Sequence, residues 1–103
     1  MVKKYLQLEK LPYAEQEEIV KEGLWALQQK FPELDDIYFG TTHIQNQLKS
    51  RMISASTPHI GNILDGLVTK GEVHRNLFYN KNEEWLYTKL YRLLSIPKRT
   101  VGN

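Results

Sequence analysis

The sequence predicts an α+β domain that is mostly helical, with three helices followed by a β-hairpin. Two observations predict this class. Apolar residues recur at helical spacing in three segments between residues 14 and 70. After Gly71 the pattern changes to period two, which is typical of strands. We therefore expect a single domain over 1–103, with a leader at 1–13 and a tail at 95–103.

Composition limits what this domain can do. The chain has 103 residues, of which 41% are hydrophobic and 25% are charged, as in ordinary globular proteins. It has no cysteine, which excludes disulfides, thiolate metal sites and cysteine nucleophiles. No apolar run approaches the ~20 residues of a membrane-spanning helix. We therefore expect a cytoplasmic protein without membrane contact.

The charge is unevenly distributed along the chain. The formal net charge is +2, but residues 1–40 have a net charge of −3 and residues 41–103 have +5. A basic C-terminal part favours a surface for polyanions such as nucleic acid. Chance clustering in a small chain is the alternative explanation.

The leader at 1–13 is compatible with a strand, a short helix or an arm that packs on a partner chain. Its apolar residues are Tyr5, Leu6, Leu8 and Leu11. The first helix is predicted at 14–31, with acidic residues in its first turns, where the helix dipole favours negative charge. Its apolar stripe consists of Ile19, Leu24, Leu27 and Phe31, with Val20 and Trp25 beside it. Pro32 is predicted to end this helix.

The second helix is predicted at 42–53, after a turn at Gly40. Ile44, Leu48 and Met52 recur at four-residue spacing, which predicts a buried seam. The segment before it, at 37–39, is a candidate edge strand. A tight polar turn at 54–56 is expected to separate this helix from the third one.

The third helix is predicted at 56–70. Ser56 or Thr57 is expected to cap it, and Pro58 is tolerated in its first turn. Its apolar face consists of Ile60, Ile63, Leu64, Leu67 and Val68, and its polar face of Asn62, Asp65 and Thr69. Gly71 is a suitable residue to end it.

The period-two region predicts a hairpin at 72–92, with its tip at Asn80, Lys81 and Asn82. The second strand begins at Trp85 in this interpretation, and Trp85 is expected to lie in the core. A helix over 85–94 is the alternative.

The stretch 56–75 resembles the recognition-helix segment of winged helix-turn-helix transcription regulators, such as the GntR and MarR families. The matching residues are Ile60, Leu64, Leu67, Gly71, Val73 and Arg75. With the order of the elements, the resemblance covers about residues 42–92. It implies a winged helix whose third helix enters the DNA major groove and whose hairpin tip reaches the flanking backbone or the minor groove.

The resemblance and the side-chain chemistry together name a set of candidate DNA-binding residues. Those of the third helix are Ser56, Thr57, His59, Asn62 and Thr69, and those of the hairpin are Arg75, Asn80, Lys81 and Asn82. Asn is suited to adenine, and Ser and Thr bond bases or phosphates. Lys49 and Arg51, near the end of the second helix, are candidate phosphate contacts.

The function we expect is sequence-specific binding of double-stranded DNA by a small transcriptional regulator of phage, plasmid or bacterial type. A homodimer is expected, formed through the helix that contains Trp25, the leader or the C-terminal segment, because DNA operators are often two-fold symmetric. The alternative is a protein-interaction module without DNA binding. The weakly basic third helix favours that alternative, since Gly61, Asn62 and Gly66 stand where many regulators have Arg or Lys.

Enzymatic and metal-dependent functions find no support in the sequence. His43, His59 and His74 are far apart and show no metal-ligand spacing. No nucleophile motif and no phosphate-binding glycine loop is present. We therefore expect no enzymatic activity, no metal and no cofactor.

Overall fold

The computed structural model describes residues 4–34, 36–79 and 87–94. The elements are β1 (Leu6–Gln7), a 3-10 helix (Leu8–Lys10), α1 (Tyr13–Gln29), α2 (Thr41–Lys49), β2 (Ile53–Ser54), α3 (Thr57–Thr69), β3 (Val73–Tyr79) and β4 (Tyr87–Leu93). The predicted α+β class, with three helices and an antiparallel hairpin, is confirmed. The expected tip (Asn80, Lys81 and Asn82), Trp85 and the tail at 95–103 lie outside the described residues.

One hydrophobic core joins the three helices and the base of the hairpin. Its members are Leu8, Ile19, Val20, Leu24, Leu27, Phe39, Ile44, Leu48, Ile60, Ile63, Leu64, Leu67, Val73, Tyr91 and Leu93. The close approach of α1 and α2 depends on Gly23, since a Cβ there would lie 3.1 Å from Leu48 Cδ2. Burial of these side chains is the main force that holds the helices together.

The first helix differs slightly from its predicted bounds of 14–31. It begins at Tyr13 and ends at Gln29, so Phe31 lies beyond it and is 38% exposed. The ring of Phe31 still contacts that of Phe39, with centroids 6.1 Å apart. Trp25 is half-buried against the core of its own chain, so only part of it remains for a partner.

The leader packs on its own chain through two short elements. β1 pairs in parallel with β2, with Leu6 opposite Ile53, and the 3-10 helix follows directly. Leu8 is completely buried in the core. The side chain of Gln16 on α1 holds the end of the leader, since its Nε2 donates to the carbonyl of Leu11 at 2.7 Å.

The prediction that the second helix extends over 42–53 is wrong at both ends. α2 begins at Thr41 and ends at Lys49, and Met52 adopts a left-handed conformation with φ of 64° instead of continuing the buried seam. Ile53, predicted as the last helical residue, and Ser54, predicted as the start of a tight turn, form β2 instead. The reason is tertiary, because the carbonyl of Met52 accepts a 2.8 Å hydrogen bond from Leu6, which starts the pairing with the leader.

The candidate edge strand at 37–39 is reduced to one bridge. Phe39 and Tyr91 exchange two backbone hydrogen bonds of 2.8 Å, which places Phe39 on the outer side of β4. Phe39 is 6% exposed and Tyr91 is 1% exposed, so this bridge lies in the core.

The ends of α3 follow local rules. The Ser56 hydroxyl accepts a hydrogen bond from the His59 N–H at 3.3 Å, which confirms the predicted cap. At the other end Gly71 has φ of 78°, its N–H bonds the carbonyl of Val68, and the N–H of Glu72 bonds the carbonyl of Leu67. This is the Schellman arrangement that glycine favours.

The hairpin pairs Val73 with Leu93 at its base and Tyr79 with Tyr87 at its far end. The helix considered for 85–94 is therefore wrong over Tyr87–Leu93, because these residues form β4. Burial is confined to the base, where Val73 and Leu93 are 2% and 4% exposed. Farther out, Leu77 lies on the same face as Val73 but is 53% exposed, so the outer part of β3 lies outside the core.

Candidate nucleic-acid interface

The third helix has one face in the core and one face in solvent. Ile60, Ile63, Leu64 and Leu67 lie at 0–1% exposure and dock α3 on α1 and α2. Asn62 and Thr69 are exposed on the opposite face, with Asp65 half-buried between them. The predicted division of the helix into a core face and an accessible face is therefore present in the structure.

The accessible face of α3 forms one wall of an open groove with a volume of about 580 Å³. The N-terminal turn of α2, which includes Thr41 and Thr42, forms the second wall, and β4 forms the third. Gly61 lines the groove beside Thr41, and a Cβ added there would lie 3.6 Å from Thr41 Cγ2, which is an ordinary contact. The groove is thus lined by hydroxyl, amide and charged side chains from three elements.

Asp65 is the central ionic group of this groove. Its Oδ1 accepts a hydrogen bond from Tyr91 Oη at 2.9 Å and from Arg75 Nη1 at 3.0 Å. Lys89 Nζ lies 3.7 Å from the other carboxylate oxygen. All three partners lie on one face of the hairpin, because Arg75 pairs with Tyr91 and the residues of a strand alternate between faces.

These contacts shift the pKa values of Asp65 and Tyr91 in opposite directions. Burial alone raises the pKa of Asp65, but the hydrogen bonds from Tyr91 and Arg75 and the charge of Lys89 outweigh it, so the pKa falls below 3.8. Burial and the hydrogen bond to Asp65 raise the pKa of Tyr91 above its ordinary value of 10.0. At neutral pH the pair is therefore an anion bonded to a neutral phenol.

The candidate residues at the start of α3 are engaged by the protein itself. Ser56 caps the helix, and Thr57 is half-buried. The ring of His59 turns towards α1, where its Nε2 lies 2.7 Å from Gln16 Oε1. His59 is therefore held against the scaffold and not directed into the groove, a departure from the predicted base contact.

The candidate cations are distributed over different surfaces. Arg75 contacts Asp65, which lines the groove, whereas Lys49 is exposed on α2 beside the leader, lining a small pocket with Tyr5 and Asn46. Arg51 Nη1 lies 3.8 Å from Glu22 Oε1, at the limit of an ion pair. The structure thus does not bring Lys49 and Arg51 to the carboxylate that Arg75 contacts.

Two further lysines join α1 to the end of α3. Lys70 Nζ contacts both carboxylate oxygens of Glu17 at 2.8 Å, and Lys21 Nζ contacts Glu72 and Glu18 at 2.8 Å each. These pairs occupy acidic residues of α1. Among the described residues, the cations closest to the outward face of α3 are therefore already paired.

Sequence reasoning missed Lys89 and the two threonines of α2. Lys89 lies on the same face of β4 as Tyr91, and its proximity to Asp65 depends on the hairpin folding over α3. Thr41 and Thr42 reach the groove because the first turn of α2 lies beside α3, which the sequence pattern alone does not reveal. The sequence signal that could have placed Lys89 is its two-residue spacing from Tyr91, which predicts that both side chains lie on the same face of the strand.

No protein-family model, curated protein or solved structure matches this chain. Among the residues that the structure describes, no helix is long and apolar enough to cross a membrane. The same residues contain no group of three or more metal-binding side chains.

Proposed function

We propose that the chain is a winged helix-turn-helix domain that binds double-stranded DNA through α3 and the hairpin. The fold assignment is supported by the order of the helices and by the Phe39–Tyr91 bridge, which adds a third segment to the hairpin. The observation on which the DNA proposal rests is the accessible polar face of α3, beside a hairpin that contributes Arg75 and Lys89. A helix with one free face fits the major groove.

In this proposal Asn62 reads a base edge, because it is exposed in the middle of the free face and its amide is suited to adenine. Thr41 and Thr42 lie at the N-terminus of α2, where free backbone N–H groups favour a phosphate. Lys49 contributes a phosphate contact from the flank.

Asp65 is expected to limit the affinity for DNA. Its carboxylate repels phosphate and also neutralises Arg75 and Lys89 through contacts of 3.0 and 3.7 Å. The Asp65→Asn variant removes this charge and leaves an amide in its place. It should therefore bind duplex DNA more tightly than the unmodified protein at low salt.

The test is fluorescence anisotropy with a pool of randomised duplexes over a series of salt concentrations. We expect the affinity to fall steeply with salt, with Lys49→Ala reducing the log–log salt slope by about one unit. Asn62→Ala should erode the sequence preference recovered from the pool. Lys30→Ala is the matched control for charge, since Lys30 lies at the far end of α1 and contacts Gln47. Absence of duplex binding at low salt contradicts the proposal.

A protein partner is the second candidate, and the observation that favours it is the carboxylate of Asp65 in the middle of the α3 face. If the unmodified protein and the Asp65→Asn variant both fail to bind duplex DNA, this candidate replaces the first. In that case alanine substitution of Asn62 and Thr69 should abolish partner binding without loss of stability, because both side chains are exposed.

A further inference from the structure

The two edges of the hairpin differ in how their backbone groups are used. Tyr91 exchanges backbone hydrogen bonds with Phe39, so its N–H and C=O point away from β3. Successive residues of a strand direct their backbone N–H and C=O groups to opposite sides. The backbone hydrogen bonds between β3 and β4 are therefore made by pairs such as His74–Arg92 and Asn76–Leu90. On β3, the N–H and C=O groups of Val73, Arg75 and Leu77 therefore point outwards.

The outer edge of β4 is covered by the protein. Besides the bridge to Phe39, the N–H of Leu93 donates to the side-chain oxygen Oε1 of Gln28 at 2.6 Å. Within the described ranges, no segment pairs with the outer edge of β3. The N–H of Leu77 makes a local contact there, since it donates to the side-chain oxygen of its neighbour Asn76 at 3.1 Å. An open strand edge is a template for another strand.

The side chains along this edge carry little unbalanced charge. Leu77 is 53% exposed and Phe78 is 46% exposed, on opposite faces of the hairpin. The charge of Arg75 is balanced by Asp65 at 3.0 Å. The edge therefore presents little net charge to oppose the approach of an identical strand.

We propose that the outer edge of β3 is a homodimer interface, in which two copies of β3 pair antiparallel around Asn76. This inference is independent of DNA binding. It differs from the dimer surfaces expected from the sequence, of which the leader is packed on its own chain. The pairing joins two hairpins into one four-stranded sheet.

The register follows from the residues of β3. Centring the pair on Asn76 uses the whole strand, with Val73 opposite Tyr79 of the second copy, and brings the outward backbone groups of Arg75 and Leu77 face to face. A shift towards Arg75 would place two arginines directly opposite, which is unfavourable. At the centre, two Asn76 side chains meet across the two-fold axis, where their amides can bond each other.

A single-cysteine crosslink tests this register. The chain has no cysteine, so the Asn76→Cys variant introduces one thiol. A non-hydrogen-bonded antiparallel pair has Cα atoms ~4.5 Å apart, within the range of a disulfide. We expect this variant to form a covalent dimer under mild oxidation. Thr69→Cys, exposed on α3, is the control and should crosslink much more slowly. Equal rates for the two variants overturn the proposal.

The dissociation constant of the dimer, measured by sedimentation or light scattering over a concentration series, gives a second test. Leu77→Lys places a cation opposite Arg75 of the other copy and should weaken the dimer about tenfold or more. Leu94→Lys makes the same change at a site of similar exposure (52%) outside β3 and should have no effect.

Leu77→Pro removes an outward N–H that bonds the Asn76 side chain and does not pair β3 with β4, so the hairpin should persist while pairing between the copies is lost. A monomeric unmodified protein that does not crosslink through Asn76→Cys overturns the proposal. That result would assign the edge to another occupant, such as the C-terminal segment of the chain or a different protein.

Discussion

The hydroxyl of Tyr91 donates a 2.9 Å hydrogen bond to the carboxylate of Asp65, and this contact fastens the hairpin to α3. Tyr91 is also bridged to Phe39 through its backbone. One residue of β4 thus joins three parts of the fold, namely the segment before α2, the helix α3 and the hairpin. The orientation of the hairpin relative to α3 depends on this junction.

Removing the Tyr91 hydroxyl should destabilise the protein without opening a cavity. Tyr91→Phe keeps the buried ring, which is 1% exposed, and loses only the bond to Asp65. Since hydrogen bonds to charged groups contribute roughly 1.5–3 kcal/mol, we expect the free energy of unfolding to fall by about that amount. Urea denaturation followed by circular dichroism measures it. In the Asp65→Asn background the same substitution should cost less, and equal costs in both backgrounds would show that the bond contributes little.

The contribution of Asp65 to stability should depend on pH. The pKa of Asp65 in the folded state lies below 3.8, so the carboxylate stabilises the folded protein at pH values above 3.8. This stabilisation is lost as the pH falls through the folded-state pKa. Asp65→Asn should therefore be less stable than the unmodified protein at neutral pH, by under about 1 kcal/mol because a third of the side chain is in water.

The measurement is the difference in unfolding free energy between the two proteins from pH 7 down to strong acid. The difference should shrink below pH 3.8. A difference that stays constant over this range would contradict the assigned role of the carboxylate.

Gly61 within α3 and Gly71 at its end should respond in opposite directions to alanine. Gly71→Ala forces a side chain into the left-handed region at φ of 78° and should cost about 1–2 kcal/mol, although nothing lies within 4 Å of the new Cβ. Gly61→Ala should stabilise by up to about 1 kcal/mol, since the position is helical and a Cβ there makes only an ordinary contact of 3.6 Å. Thermal unfolding of both variants measures the two effects, and a stabilising Gly71→Ala would refute the Schellman assignment.

Lys21 should be important for the contact between α1 and the end of α3. Its side chain is 6% exposed and contacts Glu18 and Glu72 at 2.8 Å each. Lys21→Met keeps the volume but leaves two partly buried carboxylates without their cation, so we expect a loss of about 1–3 kcal/mol at pH 7. Lys70→Met, whose lysine side chain is 52% exposed, is the comparison and should cost less.

The stabilising effect of Lys21 should also disappear at high pH. Burial lowers the pKa of Lys21, but the hydrogen bonds and charges of Glu18 and Glu72 outweigh it and raise the pKa above 10.5. The stabilisation is therefore complete below pH 10.5 and is lost as the pH rises through the folded-state pKa. If Lys21→Met lowers the unfolding free energy by the same amount in strong alkali as at pH 7, this assignment is contradicted.

Local patterns predicted α3 more accurately than any other element. Its cap at Ser56, its apolar face and its end at Gly71 depend on neighbouring residues, so the sequence contains the necessary information. The end of α2 is different. The four-residue spacing of Ile44, Leu48 and Met52 predicts that the helix continues to Met52. The helix ends at Lys49 instead, because β2 pairs with a leader more than forty residues earlier in the chain.

The candidate interface shows the same limit. Composition and helical periodicity suffice to assign an α+β chain with three helices, and to place Asn62, Asp65 and Thr69 on the polar face of α3. Those features depend on residues within a few positions of each other. The contacts of Asp65 with Arg75, Lys89 and Tyr91 join residues 10 to 26 positions apart. The contact between His59 and Gln16 joins residues 43 positions apart. Such contacts exist only once the core has brought the elements together, and so the charge of the free α3 face is a property of the folded chain.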